Sequence, residues 1–235
     1  MKRPVKIVLI SSIGSVVLLA AIAAIAGPVI YRDLVVGEAL PAPTVSPASS
    51  ASSAGTDMAS ALSSTWVVTD DSYAGYRVDE VLNGTDVTVV GRTEDVSGTL
   101  SVDPETLTLE AATIEVDVAS ISSDSARRDG YFRDTTMRVS EYPTATFRLT
   151  EPVIAPSLPE NGQPQTVRAT GELTLAGQTR PVTIELQAVL QGATSQVAGS
   201  VPITFADFGI TAPSLGFVSV DPTGVIEFSL QLRPA

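Results

Sequence analysis

The sequence predicts an all-β globular domain made of short antiparallel strands, arranged as a sandwich or as a barrel. Two observations predict this class. Apolar and polar residues alternate with a period of two in several stretches after residue 65, and turn-forming residue pairs lie between those stretches. Strands of this kind have one buried and one solvent-facing side, which is typical of antiparallel sheets and not of a parallel α/β sheet.

The first 36 residues are predicted to form a basic cytoplasmic tip followed by a transmembrane helix. Lys2, Arg3 and Lys6 precede the uncharged, apolar run Ile7–Tyr31. As a helix, this run is about 37 Å long, whereas the hydrocarbon core of a bilayer is about 30 Å thick. Because positive charges stay on the cytoplasmic side, we expect a single-pass protein of the cell membrane with its C-terminal domain outside the cytoplasm.

A cleaved signal peptide is the alternative interpretation of the same segment. The small residues Ala24 and Ala26, placed before Gly27, resemble a signal-peptidase site, and cleavage there would make the protein secreted. The apolar run is long for a signal peptide, so the retained anchor is favoured. Both interpretations place the rest of the chain outside the cytoplasm.

Residues 37–64 are predicted to be a flexible linker. Proline, alanine and serine dominate this stretch, and it has too few large apolar side chains to offset the entropy lost on folding. The linker is expected to be extended and to connect the anchor to the globular domain, residues 65–235.

The globular domain shows its strands as alternating stretches separated by turn pairs. The clearest alternating stretches are residues 72–78, 113–118, 167–175, 182–188 and 226–232. The turn pairs are Asn83-Gly84, Asp103-Pro104, Asn161-Gly162, Ala176-Gly177 and Asp221-Pro222. Each stretch is predicted to be a strand with one side towards the core.

One charged segment, residues 120–142, lacks this alternation and is predicted to contain a short helix. Ser123 or Asp124 is the expected N-cap. The segment is longer than an ordinary hairpin loop, and loops of this length are often lids or binding loops. Phe132 and Met137 are its apolar residues, expected either to plug an end of the domain or to contact a ligand.

The composition excludes most catalytic chemistry, so we expect a protein that is not an enzyme. The chain has no cysteine and no histidine, and both lysines precede the apolar run. Thiolate and imidazole catalysis, Schiff-base chemistry and the commonest transition-metal ligands are therefore missing. Glu115 and Asp117 share a strand face, but it is the solvent-facing one, where burial cannot raise a carboxyl pKa.

The charge of the globular domain disfavours nucleic acid as a partner. Ten arginines stand against 23 acidic residues, a net charge of −13. Five of these arginines lie between Arg127 and Arg148, in or near the long loop.

Six stretches in order resemble the YceI-like family, whose members are lipocalin-like barrels that bind polyisoprenoids or other long-chain lipids. The stretches are residues 96–103, 114–121, 128–133, 141–147, 171–182 and 207–210. The resemblance implies an eight-stranded antiparallel lipocalin-like barrel with one long helical loop, an apolar lumen and no catalysis. One departure is Tyr131, which stands where the family often has a histidine.

The resemblance and the alternation together predict a lumen that holds an isoprenoid or a quinone-like lipid, with no other cofactor and no metal. The expected lumen lining is Tyr76, Val78, Leu100, Val102, Ile114, Val116, Phe132, Met137, Phe147, Leu173, Leu175, Ile184, Leu186, Ile203, Phe205, Phe228 and Leu230. Alternation fits a filled core equally well, so a sandwich or barrel with a structural or adhesive role and no ligand is the alternative.

Four residues of the long loop are candidate contacts for a lipid head group: Arg127, Arg128, Tyr131 and Arg133. The alternative role for the arginines is pairing with the neighbouring carboxylates, which are Asp124, Asp129, Asp134 and Glu141.

Overall fold

A computed structural model describes residues 39–45, 64–155, 157, 160 and 162–235 of the chain. Its strands in chain order are β1 (Thr65–Val68), β2 (Tyr73–Leu82), β3 (Thr85–Thr93), β4 (Val96–Asp103), β5 (Thr108–Asp117), β6 (Thr144–Leu149), β7 (Val153–Ile154), β8 (Gln165–Leu175), β9 (Gln178–Gln191), β10 (Thr194–Thr204), β11 (Val218–Val220) and β12 (Thr223–Pro234). The helix α1 (Ala126–Tyr131) continues into a π-helical turn (Phe132–Thr136), and 3-10 turns span Val118–Ser120 and Phe205–Phe208.

Eight of the described strands pair antiparallel in a closed ring. The order around the ring is β1, β4, β5, β6, β8, β9, β10 and β12, and β12 pairs with β1 again. Trp66 of β1 lies opposite Leu100 of β4 on one side and Pro234 of β12 on the other. The predicted eight-stranded antiparallel barrel is therefore confirmed, and the alternative of two stacked sheets is wrong.

A long hairpin, β2–β3, extends the wall of the barrel beyond the ring. Strand β2 pairs with β12 along Tyr73–Arg77 and with β3 along its other edge. Asn83 and Gly84 connect the two strands with φ values of 51° and 80°. Positive φ at both positions is typical of the two-residue turn that matches strand twist, so the turn predicted at this pair is confirmed.

Residues 118–142 cover one end of the barrel, called here the helix end because α1 lies there. Met137 is buried together with Val118, Ile121, Phe208 and Ile210. The ring of Phe132 stacks on that of Tyr76 of β2, with centroids 4.9 Å apart. The opposite end, called the far end, carries the β4–β5 and β9–β10 turns and the strand β7.

The short helix predicted in this segment is present, but neither predicted N-cap residue caps it. Ser125 is the N-cap, and its hydroxyl accepts a hydrogen bond from the backbone NH of Arg128 at 3.5 Å. The two expected caps have other partners. The hydroxyl of Ser123 donates to Asp129 at 2.6 Å, and the carboxylate of Asp124 binds the guanidinium of Arg128.

Residues 39–45, called here the strap, lie against the outer wall of the barrel. Val45 is buried against Val189 and Ala198. The carbonyl oxygens of Leu40 and Pro41 each accept a hydrogen bond from an arginine at 2.6 Å, from Arg77 and Arg92 respectively. The structure thus differs from the predicted flexible linker at these seven residues, because side chains distant in sequence hold them.

The other linker residues, 37–38 and 46–63, and the predicted anchor, 1–36, lie outside the described residues. Among the helices that the structure does describe, none has the length and apolar character needed to cross a membrane.

Candidate functional site

The interior of the ring holds a cavity of about 310 Å³ whose walls are almost entirely apolar. The inner faces of the ring strands supply its lining, since every second residue of each strand points inwards. Eleven residues of the predicted lining surround it: Leu100, Val102, Ile114, Val116, Phe147, Leu173, Leu175, Ile184, Leu186, Phe228 and Leu230.

A smaller cavity of about 170 Å³ lies at the helix end, beneath α1. The remaining six residues of the predicted lining surround it: Tyr76, Val78, Phe132, Met137, Ile203 and Phe205. Phe132 and Met137 therefore both cover the helix end and line the cavity. Whether any of the seventeen residues contacts a lipid stays a prediction.

The two cavities adjoin along the barrel axis. They share five lining residues, which are Ala74, Val116, Ala145, Leu175 and Ile226. These residues come from β2, β5, β6, β8 and β12, and they form a boundary ring between the cavities. The barrel interior is therefore one lumen with a large apolar chamber and a small chamber at the helix end.

The small chamber contains a buried ion pair, whereas the described residues that line the large chamber are all uncharged. Glu80 points inwards from β2, is 6% exposed, and lies 3.3 Å from a guanidinium nitrogen of Arg128. The same guanidinium binds Asp124 at the surface. Arg128 is thus held between a buried and an exposed carboxylate, and it lines the small chamber.

The hydroxyl of Tyr76 is the second polar group of the small chamber. Burial has the largest effect and raises the pKa of this hydroxyl, whereas the positive charge of Arg128 lowers it and nearby carboxylates raise it further. The net effect is a pKa of about 12. The Tyr76 ring lies over Gly91, where a Cβ atom would be 2.5 Å from a ring carbon. The hydroxyl is therefore protonated at neutral pH and is positioned by close packing.

The structure brings two of the four predicted head-group residues to the lumen. Arg128 and Tyr131 line the small chamber, whereas Arg127 and Arg133 line neither chamber. Successive residues of an α-helix point about 100° apart, so Arg127 cannot share the inward direction of Arg128. Contact of any of these four residues with a head group stays a prediction.

Ion pairing, the alternative role, is present for part of the loop. Arg128 pairs with Asp124, and Arg138 lies 3.6 Å from Glu141. Asp129 is buried but accepts its hydrogen bonds from the backbone and hydroxyl of Ser123, not from an arginine.

Glu80 is a charged lumen residue that the sequence interpretation missed. A usable signal exists, because Glu80 follows Tyr76 and Val78 at the same period of two and thus belongs to the inward face. Its arginine partner is 48 residues away, so the pairing itself has no local signal.

The carboxylate pair of β5 faces the solvent, and a family-like stretch near the C-terminus forms a turn. Glu115 and Asp117 are both exposed, as expected, and Asp117 accepts a hydrogen bond from the NH of Ala119 at 2.8 Å. The Asp207-Phe208-Gly209 tripeptide ends a 3-10 turn, with Gly209 at a φ of 66°.

A family model described as a YceI-like domain matches residues 66–232 of the chain. A UPF0312 protein of Vibrio cholerae is 33% identical over 129 residues, which are 52% of this chain and 65% of that protein. A UPF0312 protein of Pseudomonas aeruginosa is 32% identical over 127 residues, 51% of this chain and 62% of the relative. The match thus spans somewhat less than two thirds of each relative.

Two solved structures share the fold. A polyisoprenoid-binding domain from Saccharophagus degradans, implicated in plant cell wall breakdown, superposes with a TM-score of 0.59 at 18% identity, covering 74% of this chain and all of that one. BcnA of Burkholderia cenocepacia superposes with a TM-score of 0.53 at 22% identity, covering 70% of this chain and 98% of that one. At these identities, the likeness concerns the fold.

Proposed function

The chain belongs to the YceI-like family, and we propose that it is a membrane-tethered, extracytoplasmic binding protein that holds a long-chain isoprenoid or a similar lipid inside its barrel. The observation that carries this proposal is the lumen, whose large chamber has almost entirely apolar walls and whose charged residues, among those the structure describes, all line the small chamber at one end. The polyisoprenoid-binding description of the Saccharophagus degradans domain supports the same class of ligand.

The shape of the lumen fits an amphiphilic ligand with one long tail. The tail would occupy the large chamber, whose described lining residues are uncharged, and the polar head would lie in the small chamber near Arg128, Tyr131 and the Tyr76 hydroxyl. Both volumes together fall in the ordinary range of ligand cavities, about 300–1,000 Å³.

The hydrophobic effect is large enough to drive such binding without an ion pair to the ligand. Each Å² of apolar surface removed from water contributes about 25 cal/mol, so a tail that buries a few hundred Å² gains roughly 5–10 kcal/mol. Micromolar binding corresponds to about 8 kcal/mol, so with an association cost of at least about 4 kcal/mol it requires a tail that buries about 500 Å² of apolar surface.

The tether is supported by the sequence of the first 36 residues. A basic tip before a long uncharged apolar run is typical of a single-pass anchor with the following domain outside the cytoplasm. The absence of histidine and cysteine from the chain supports binding without catalysis.

Mass spectrometry of bound lipid tests the proposal. The full chain is purified in mild detergent, extracted with organic solvent, and the extract is compared with that of an unrelated anchored protein prepared in parallel. We expect a long-chain lipid enriched in a fixed ratio to protein. Repeated extraction without lipid, together with no binding of isoprenoid probes, contradicts the proposal and favours a ligand-free structural domain.

A further inference from the structure

We propose that the helix end of the barrel docks on the outer surface of the membrane through exposed apolar side chains, with its small chamber facing the bilayer that supplies the lipid. This inference rests on the proposed function, to which it adds an orientation and an interaction surface. The occupant of the surface is a neutral or zwitterionic bilayer.

Four of the six large apolar residues that are exposed in the described part of the chain lie at the helix end, and the other two are Leu40 of the strap and Ile154. Phe217 is 57% exposed, Leu215 is 50% exposed, and Val81 and Tyr131 are also exposed. At the far end, Ile154 is the one comparable residue among those described, with 70% of its surface exposed. Exposed apolar patches of this kind usually mark an interaction surface.

Four of these residues lie at the helix end and are called here the apolar rim: Val81, Tyr131, Leu215 and Phe217. The carbonyl of Phe217 accepts a hydrogen bond of 2.7 Å from the backbone NH of Asn83, in the β2–β3 turn. Val81 lies opposite Ser219 in the β2–β11 pairing. Tyr131 lines the small chamber together with Pro213, from the same loop as Leu215.

The strap directs the preceding chain towards the same end. Val45 contacts Ala198, which is level with Ser229 and Tyr73 across the sheet. Leu40 binds Arg77, four residues further along β2 in the direction of Glu80 and α1. Traced backwards from Val45, the chain therefore runs along the wall to Ala39 and leaves towards the helix end.

With the tether of the proposed function, this direction would place the anchor close to the apolar rim. Seven residues, 32–38, separate the end of the uncharged run from Ala39. Even fully extended, seven residues span at most about 25 Å. A strap held on the wall by Arg77, Arg92 and Val45 thus keeps the helix end within a short distance of the membrane.

The charge of the domain selects the kind of membrane surface. With a net charge of −13, the domain is repelled by anionic head groups, so apolar contact and not ion pairing has to supply the attraction. Aromatic and aliphatic side chains that enter the head-group region of a zwitterionic bilayer provide such an attraction without a charge requirement.

Spin labelling of the full chain in phosphatidylcholine vesicles tests the docking. The chain lacks cysteine, so Leu215→Cys, Phe217→Cys and the far-end control Ile154→Cys each carry a single nitroxide. We expect the labels at 215 and 217 to be accessible to oxygen and protected from a water-soluble nickel complex, and the label at 154 to show the reverse. Equal exposure of all three labels to the nickel complex overturns the docking.

Two further outcomes separate this inference from the proposed function. If lipid is extracted from the same sample while the rim labels remain in water, the docking is wrong and the lipid-binding function stands. If the rim labels are in the bilayer but no lipid is found, the docking stands and the binding function fails. Rim labels protected from both oxygen and nickel indicate a protein partner or a second copy, and this also overturns the proposal.

A rate measurement complements the labels. In the double variant Leu215→Ser and Phe217→Ser, transfer of a fluorescent isoprenoid from vesicles to the barrel is expected to slow at least threefold, while the amount bound at equilibrium is unchanged. Ile154→Ser is the matched control and should transfer at the rate of the unchanged protein. Equal rates in both variants contradict the proposal.

Discussion

At the scale of single residues, buried side chains on the two faces of one strand have two different environments. On β9, Ile184 lines the large chamber, whereas Val189 is buried on the outer wall beneath Val45 of the strap. Both are almost fully buried, at 4% and 1% exposure. Burial by itself thus does not identify a lumen residue, because the space around the side chain differs.

Tryptophan substitutions on this strand distinguish a hollow barrel from a filled one. In Ile184→Trp, we expect the larger ring to enter the chamber, so that the domain stays folded and isoprenoid binding falls at least tenfold. In Val189→Trp, the ring has no cavity to enter and should lower the free energy of unfolding by about 1–3 kcal/mol without changing binding by the folded protein. Denaturant unfolding and probe fluorescence measure both quantities, and equal destabilisation by the two changes contradicts the prediction.

The raised pKa of Tyr76 predicts a loss of folding stability at alkaline pH. Its pKa is raised from 10.0 to about 12 in the folded protein. Between these values, the unfolded chain releases the phenol proton and the folded protein keeps it. The contribution of Tyr76 to the free energy of unfolding is therefore fully present below pH 10 and is lost as the pH rises to 12. The loss amounts to about 2–3 kcal/mol.

Unfolding of Tyr76→Phe measures this contribution. The variant keeps the ring that stacks on Phe132 but has no proton to release, so its stability should fall less than that of the unchanged protein between pH 10 and pH 12. Tyr73→Phe, at a tyrosine whose ring lies on the outer wall against Arg92, is the control and should retain the full alkaline loss. Identical pH profiles for Tyr76→Phe and the unchanged protein would contradict the pKa shift.

At the scale of elements, the strap and α1 depend on contacts that are distant in sequence. The strap lies over a buried carboxylate, Glu227, which is 1% exposed and 3.0 Å from Arg77, with Arg92 at 3.8 Å. The two arginines thus bind both Glu227 and the strap carbonyls, and their charge is neutralised only in part by the buried partner. The strap has no alternation of its own, so its position follows from these arginines and from the groove that accepts Val45.

Detachment of the strap is predicted for Val45→Asp. A carboxylate in the apolar groove between Val189 and Ala198 would be desolvated without a partner, which favours the detached strap. We expect hydrogen exchange in residues 39–45 to accelerate at least tenfold, while exchange within the barrel strands is unchanged.

Thr44→Asp is the control for this change, because Thr44 is exposed. It adds the same charge one residue away and should leave the exchange of the strap as it is in the unchanged protein. Equal acceleration in both variants would show that charge alone, and not loss of the Val45 contact, releases the strap.

At the scale of the whole molecule, a cavity in the barrel lowers the stability of the folded state, and a lipid bound in that cavity raises it again. The walls of the large chamber face about 310 Å³ of space instead of neighbouring side chains, so they lose dispersion contacts that a filled core would have. A lipid that binds only the folded barrel restores these contacts and shifts the folding equilibrium by mass action.

Removal of lipid is therefore predicted to lower the thermal stability of the full chain. Added polyisoprenoid should raise the Tm in a concentration-dependent manner. When the free ligand is at one hundred times its Kd, the free energy of unfolding should be about 2.7 kcal/mol higher than without ligand. Calorimetry of the detergent-solubilised protein measures this, with Ile184→Trp as the variant expected to show a smaller shift. An unchanged Tm at saturating isoprenoid would contradict a lumen that binds this class of ligand.

By itself, the sequence determined the β class, the inward face of the strands, the Asn83-Gly84 hairpin and a short helix in the long loop. These features depend on local chemistry: alternation, turn residues and capping side chains act within a few residues of one another. The six family-like stretches added the number of strands. For Arg127 and Arg133, the sequence predicts a position in the long loop but not the direction in which each side chain points.

Only the tertiary structure decided that the ring closes around open space, that Glu80 meets Arg128 and that the strap runs towards the helix end. The period of two specifies which side of a strand is buried, but the same period results whether the opposite wall is in contact or several ångströms away. The distance between walls depends on how all eight strands tilt and pair around the ring. A cavity, and with it the place for a ligand, is thus a property of the closed barrel and not of any one strand.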